Sequence, residues 1–183
     1  MANVFHTREK VTLEEFKQFV EQPENSDRLF ELIYGEIIEV MPATTPHSGI
    51  HSNITGYVRP FCREHRIPCY TTNGDGSYDV QGNVVAPDFA YKQTPLINTY
   101  PDPEPPVWAV EVISINDKAK DIRNKREIYR AAGVLLWEIY PDDRVIDVYA
   151  PGQAMQTYKI DDTIDLNSVI AGFKLTVREI FEG

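Results

Sequence analysis

Cysteine is scarce in this chain: Cys62 and Cys69 are the two present. Their spacing matches neither a zinc site nor a CxxC redox motif, so reduced thiols in a cytoplasmic protein are expected. Long apolar runs are missing as well. Nothing approaches the roughly 20 apolar residues that span a bilayer, so no membrane partner is expected. Met1 to Lys10 includes Arg8, Glu9 and Lys10 and no apolar run, unlike a signal peptide. Positive charge is in short supply, with 18 Lys+Arg against 28 Asp+Glu and a formal net charge of −10. That balance excludes a histone-like coat of phosphate contacts. It leaves room for a nucleic-acid enzyme with one local basic patch. There is no glycine-rich phosphate loop, which removes the common nucleotide-binding readings, and no GxSxG elbow for a serine hydrolase.

What is present is ordinary globular material. The 183 residues are 42% hydrophobic and 25% charged, enough to bury a core without a metal or disulfide staple. One domain over residues 1–183 is expected, with its core at about 12–180. Thr12-Leu13-Glu14-Glu15 is a capping box that opens a short helix to about Glu21. Arg28 to Tyr34 and Glu36 to Met41 read as strands joined tightly at Tyr34-Gly35. Ile50, Ile54, Tyr57, Val58 and Phe61 recur at helical spacing, which predicts a helix from about His47 to His65. Ile67 to Thr72 and Asn83 to Tyr91 read as strands. The run Pro101-Asp102-Pro103-Glu104-Pro105-Pro106 can be neither helix nor central strand and reads as a stiff surface loop. Val107 to Ile113 is nearly all apolar, as suits a central strand covered on both faces. A helix follows from about Lys118 to Ala132, stopped by Gly133. Val134 to Tyr140 and Arg144 to Tyr149 read as strands, Met155 to Ile160 as a weaker one, and Thr176 to Glu179 caps a terminal turn of helix. The order predicts an α/β fold of α+β type, a mixed sheet with helices packed on it.

Three acids sit inside strands among apolar neighbours: Glu31, Asp88 and Glu111. Side chains alternate along a strand, so each shares a face with apolar residues, where a carboxylate is costly unless paired. Glu39, Glu138 and Asp147 have similar neighbours, and an exposed strand face accounts for most such acids. Glu111 stands apart because it interrupts the most apolar strand. Asp88 follows Pro87, which marks the strand as locally irregular or near an edge. Two carboxylates on adjacent strands suit a hard cation such as Mg²⁺, which takes few protein carboxylates and keeps several waters.

The helix that follows Glu111 holds six basic residues: Lys118, Lys120, Arg123, Lys125, Arg126 and Arg130. Most fall on a polar side. Lys125 instead lies among Ile122, Ile128, Tyr129 and Ala132, with Asp121 at i−4. A lysine centred on an apolar stripe either snorkels, pairs locally with Asp121, or serves as a poised cation. His47 and His51 form an HxxxH pair that lacks the Glu of HExxH and a third ligand, which disfavours zinc.

Phe30-Glu31-Leu32-Ile33-Tyr34-Gly35-Glu36, Pro46-His47, Pro87-Asp88, Glu111-Val112-Ile113-Ser114, and Asp121 with Lys125, Tyr129, Gly133-Val134 and Trp137 occur in one order along the chain. In this the sequence resembles the Uma2 family of restriction-endonuclease-like proteins, over roughly Thr12 to Ile180. The resemblance implies the PD-(D/E)XK nuclease fold, a central mixed β-sheet flanked by helices. It implies that Asp88 and Glu111 bind a metal, with Glu31 as an additional upstream acid. The superfamily's usual lysine, two residues after the second acid, is here Ile113; the substitute implied is Lys125 of the next helix. His47 and Tyr129 match pocket residues of the family, and Ser114 follows the acid-bearing strand.

The function expected is metal-dependent hydrolysis of DNA phosphodiester bonds. Asp88, Glu111 and Glu31 would hold Mg²⁺ or Mn²⁺, and Lys125 would stabilise the transition state. Lys118, Lys120, Arg123 and Arg126 would contact DNA phosphates. A homodimer would suit cleavage of two strands. The main rival is a binding or accessory protein that keeps the nuclease fold without turnover, which the acidic surface favours. A two-carboxylate glycosidase is disfavoured by the lysine partner and by the presence of just two tryptophans.

Overall fold

The computed structural model describes residues 10–115 and 117–182. The N-terminal stretch read above as unlike a signal peptide lies outside these residues, apart from Lys10. Helix α1 (Leu13–Val20) starts at Thr12, whose hydroxyl accepts the Glu15 N–H while the Glu15 carboxylate accepts the Thr12 N–H. Its Phe16 is buried against strand β1 (Leu29–Ile33). The chain turns at Tyr34 (φ 51°) and Gly35 (φ 82°) into the antiparallel strand β2 (Glu36–Val40). Both turn residues are left-handed, as a two-residue hairpin requires, and a Cβ at Gly35 would lie 2.6 Å from Lys10 Cβ.

Helix α2 (Thr45–His65) begins two residues before the predicted start, with Pro46 in its first turn, where a missing N–H leaves no bond unmade. It buries Ile50, Ile54, Val58 and Cys62. Next come β3 (Tyr70–Asn73), β4 (Tyr78–Val80), β5 (Asn83–Val85) and β6 (Phe89–Lys92). The single strand predicted from Asn83 to Tyr91 is therefore two strands, β5 and β6, in different sheets. The break falls at Ala86-Pro87-Asp88. Pro87 has no N–H to offer a ladder, and the Ala86 N–H donates to the Glu31 carboxylate at 2.8 Å instead of to a neighbouring strand.

The proline run lies between β6 and β7 (Trp108–Val112), as expected. Asp102 pins it: its backbone bridges to Tyr78, and its carboxylate takes the buried Lys92 ammonium at 2.7 Å. Helix α3 (Ala119–Ala131) then crosses to β8 (Leu135–Tyr140). Gly133 (φ 71°) allows the Val134 N–H to reach back to the Tyr129 carbonyl at 3.0 Å and close the helix. The chain ends with β9 (Val145–Tyr149), β10 (Gln156–Tyr158), β11 (Thr163–Asp165), β12 (Lys174–Thr176) and α4 (Val177–Glu182). Strands β4, β11 and β12 were not predicted; each is three residues long, too short to show a period.

The expected mixed fold is present. A six-stranded sheet runs β10-β9-β8-β7-β6-β3, and a four-stranded sheet runs β2-β1-β5-β4. β7 and β8 are parallel and joined through α3, while the other pairs are antiparallel. Alternation gives the larger sheet two unlike faces. Phe89, Tyr91, Trp108, Val110, Val112, Trp137 and Ile139 pack with α2 and α4 in one apolar core. Ala90, Ala109 and Leu136 turn to the other side, toward Tyr129 of α3 and Ile33 of β1. Glu111 and Glu138 share that second face and sit opposite each other in the parallel register.

Candidate active site

The second face of the large sheet opens into a cleft of about 590 Å³. Its walls are β1 and β2, the strand break at Asp88, the end of β7, and α3. Seven carboxylates (Glu31, Glu39, Asp88, Glu111, Asp117, Asp121, Glu138) and three cationic groups (Lys118, Lys125, Arg126) line it, together with His47.

At its centre Lys125 reaches across from α3. Its Nζ donates to Glu31 Oε1 at 2.8 Å and to Glu111 Oε2 at 2.7 Å. One helical turn on, the Tyr129 hydroxyl donates to the other Glu111 oxygen, Oε1, at 2.8 Å. Spacing of i and i+4 sets both side chains on one helix face, so α3 grips both oxygens of Glu111. The local pairing of Lys125 with Asp121 allowed by the sequence is replaced by these two longer-range partners. Asp88 is held from two other directions: Oδ2 accepts the Val112 N–H at 2.7 Å, and Oδ1 lies 3.0 Å from His47 Nε2.

The electrostatics follow from burial and crowding. Burial, together with the negative charge of Glu31 and Asp88, outweighs Lys125 and pushes the Glu111 carboxyl up to about 8. Burial alone would lower Lys125, but the charges of Glu111 and Glu31 hold it above the ordinary lysine value. Burial resists ionisation of Asp88, yet the His47 imidazole 3.0 Å away and the Val112 N–H keep it below the usual carboxylate range. The same close approach to Asp88 raises His47. Tyr129 is raised well above its ordinary value by burial and by Glu111.

The structure therefore brings Glu31, Asp88, Glu111, Lys125, His47 and Tyr129 together. Ser114 and Asp117 lie at the rim, where the Ser114 N–H donates to Asp117 at 2.7 Å. The basic residues of α3 part company. Lys118 lines the cleft, Arg123 is exposed, and Lys120 is exposed and pairs with Glu36 at 3.1 Å. Arg126 forks onto the buried Glu138, Nε to Oε1 at 2.8 Å and Nη2 to Oε2 at 2.6 Å, and stacks its guanidinium over Tyr149. Glu138 was set aside on sequence as one of many strand acids. Its place in an apolar strand, like that of Glu111, was the available signal.

The donor set suits a hard divalent cation. Three acids stand against one lysine at the centre of the cleft. Among the described residues, no group of three or more His, Cys, Asp or Glu side chains is placed to hold a metal ion. Two carboxylates completed by waters is an arrangement Mg²⁺ accepts.

The parallel-paired mixed sheet thus carries an acid at a strand break, an acid on the adjoining strand and a lysine between carboxylates. The family model for Uma2, described as "putative restriction endonuclease", matches residues 13–178, and the chain belongs to that family. Its fold is also that of a "putative nuclease belonging to DUF820" from Anabaena variabilis. The likeness has a TM-score of 0.79 at 20% identity and covers 93% of this chain and 97% of that one. No curated protein matches. Among the described residues, no helix is long and apolar enough to cross a membrane.

Proposed function

We propose that this chain is a metal-dependent endonuclease that hydrolyses DNA phosphodiester bonds. The observation that carries the reading is the grouping of Asp88, Glu111, Glu31 and Lys125 in one open cleft, with Lys125 bonded to Glu31 and Glu111. Asp88 and Glu111, with Glu31 beside them, would hold Mg²⁺ or Mn²⁺. The cation would supply Lewis acidity and a lowered pKa for bound water. The rest falls to the chain itself. Lys125 offers a positive charge to the phosphate oxygens as charge builds on them in the transition state. Tyr129 holds the Glu111 carboxylate in one orientation, and His47 does the same for Asp88. Lys118 and Arg123 offer phosphate contacts at the mouth of the cleft and on exposed α3. Arg126 offers the outer edge of its guanidinium, since its inner edge is held by Glu138.

A second reading, a nuclease-fold binding or accessory protein without turnover, is favoured by the acidic lining of the cleft, which repels DNA until it is neutralised. Calorimetric titration with Mn²⁺ separates the two. Binding by wild type that is lost in Asp88→Asn and Glu111→Gln, with Mn²⁺-dependent nicking of plasmid DNA in the same preparations, supports the endonuclease. Metal binding without nicking favours the accessory protein.

A further inference from the structure

The donors that hold the three acids differ in how far they can move. Ala86 and Val112 contribute backbone N–H groups, fixed by the strand break and by β7. Tyr129 is fully buried and has two side-chain torsions. Lys125 is tethered by four flexible methylenes, borders the cleft, and has a side chain 15% exposed. It also sits on the carboxylate lone pairs that a cation would need. Its Nζ is 2.8 Å from Glu31 Oε1 and 2.7 Å from Glu111 Oε2. A Mg²⁺–oxygen contact is about 2.1 Å long, so a divalent cation on those oxygens would stand within a few ångströms of the ammonium, whose charge repels it.

Resting on the metal-dependent reading above, we infer that Lys125 is the resident counter-cation of the metal-free site and must leave the space between Glu31 and Glu111 before a divalent cation is bound. Its route out is toward the cleft, where a substrate phosphate would lie. The residue thus has two positions with two tasks. It neutralises the acids in the empty protein, and it is handed to the substrate side once they are otherwise neutralised. A lysine that stays in place also weakens metal binding by repulsion; displacement differs in that metal binding frees the Lys125 ammonium toward solvent. A lysine that competes makes affinity and activity move in opposite directions.

The test is titration of Mn²⁺ alone, without DNA, into wild type and Lys125→Met, read by calorimetry. Removing one cation a few ångströms from two carboxylates should tighten binding by about tenfold or more. Wild type that binds Mn²⁺ while Lys125→Met binds equally or more weakly overturns the inference and leaves the metal-dependent reading intact. Absence of Mn²⁺ binding in both forms overturns that reading and the inference with it. If Lys125→Met does not fold, wild type alone supplies the answer through reductive methylation, with the peptide containing Lys125 followed by mass spectrometry. Mn²⁺ should increase labelling of Lys125 severalfold; labelling that stays constant or falls contradicts displacement.

Discussion

The Asp88 carboxylate accepts the backbone N–H of Val112 at 2.7 Å, one residue beyond Glu111. This bond fastens the strand break at Pro87 to the strand that carries the other acid. Asp88→Asn keeps the shape but can present its amide nitrogen to that N–H, and it weakens the pairing with His47. Metal affinity should fall by about tenfold or more, as for residues that ligate or orient a metal. Calorimetry with Mn²⁺ measures it, and unchanged affinity would remove Asp88 from the ligand set.

Tyr129→Phe deletes the hydroxyl that holds Glu111 Oε1 and little else, since the ring stays in the core. Above about pH 8, where Glu111 is ionised, the loss of one hydrogen bond to a buried carboxylate should cost about 1.5–3 kcal/mol of stability in the metal-free protein. Urea denaturation in EDTA is the measurement. A change within error would show that the hydroxyl does not support the acid.

Glu111 also sets a pH signature. Its carboxyl is raised to about 8 in the folded protein, against about 4.3 in an unfolded chain. Below that lower value both states hold the proton. Between it and about 8 the folded state keeps the proton while the unfolded state loses it, so the group's stabilising contribution fades as pH rises and is gone above about 8. In EDTA, wild type should lose stability relative to Glu111→Gln across that window. Parallel melting curves for the two proteins would contradict the raised value.

Lys92 and Asp102 offer a test outside the site. Lys92 is 1% exposed and Asp102 is 7% exposed. Asp102→Ala leaves a buried ammonium with the longer Glu104 contact at 3.3 Å, which should cost about 3 kcal/mol. Lys92→Met, which removes the charge and keeps the volume, should cost less even though it leaves Asp102 unpaired, because Asp102 retains the Glu104 N–H at 3.0 Å. Urea midpoints rank the two variants; the reverse order would contradict the account of how the proline loop is held.

Much of the fold was legible because the longer elements carry a clear period or cap. Thr12 with Glu15 announces α1, and Gly133 announces the end of α3. The run Asn83 to Tyr91 misled because its apolar content continues through Pro87. The proline's missing N–H and the capture of the Ala86 N–H by Glu31 decide where the ladder stops, and the second depends on a partner 55 residues away. Lys125 was readable as an anomaly on an apolar stripe, but its partners were not. A helical wheel shows Asp121 at i−4, whereas Glu31 and Glu111 reach it only through the packing of two sheets and a helix. Glu138 was passed over because a strand pattern cannot separate a buried acid held by Arg126 and Tyr140 from one facing water.

Cleavage of supercoiled plasmid DNA by wild type, Glu111→Gln and Lys125→Ala, each with Mn²⁺ and with EDTA, tests the central claim most directly. Wild type should nick the plasmid with Mn²⁺ and leave it intact in EDTA. Both variants should be slower by about a hundredfold or more, the scale of losing a group that stabilises transition-state charge. Equal cleavage by all three proteins, or cleavage that persists in EDTA, would contradict the assignment of this site.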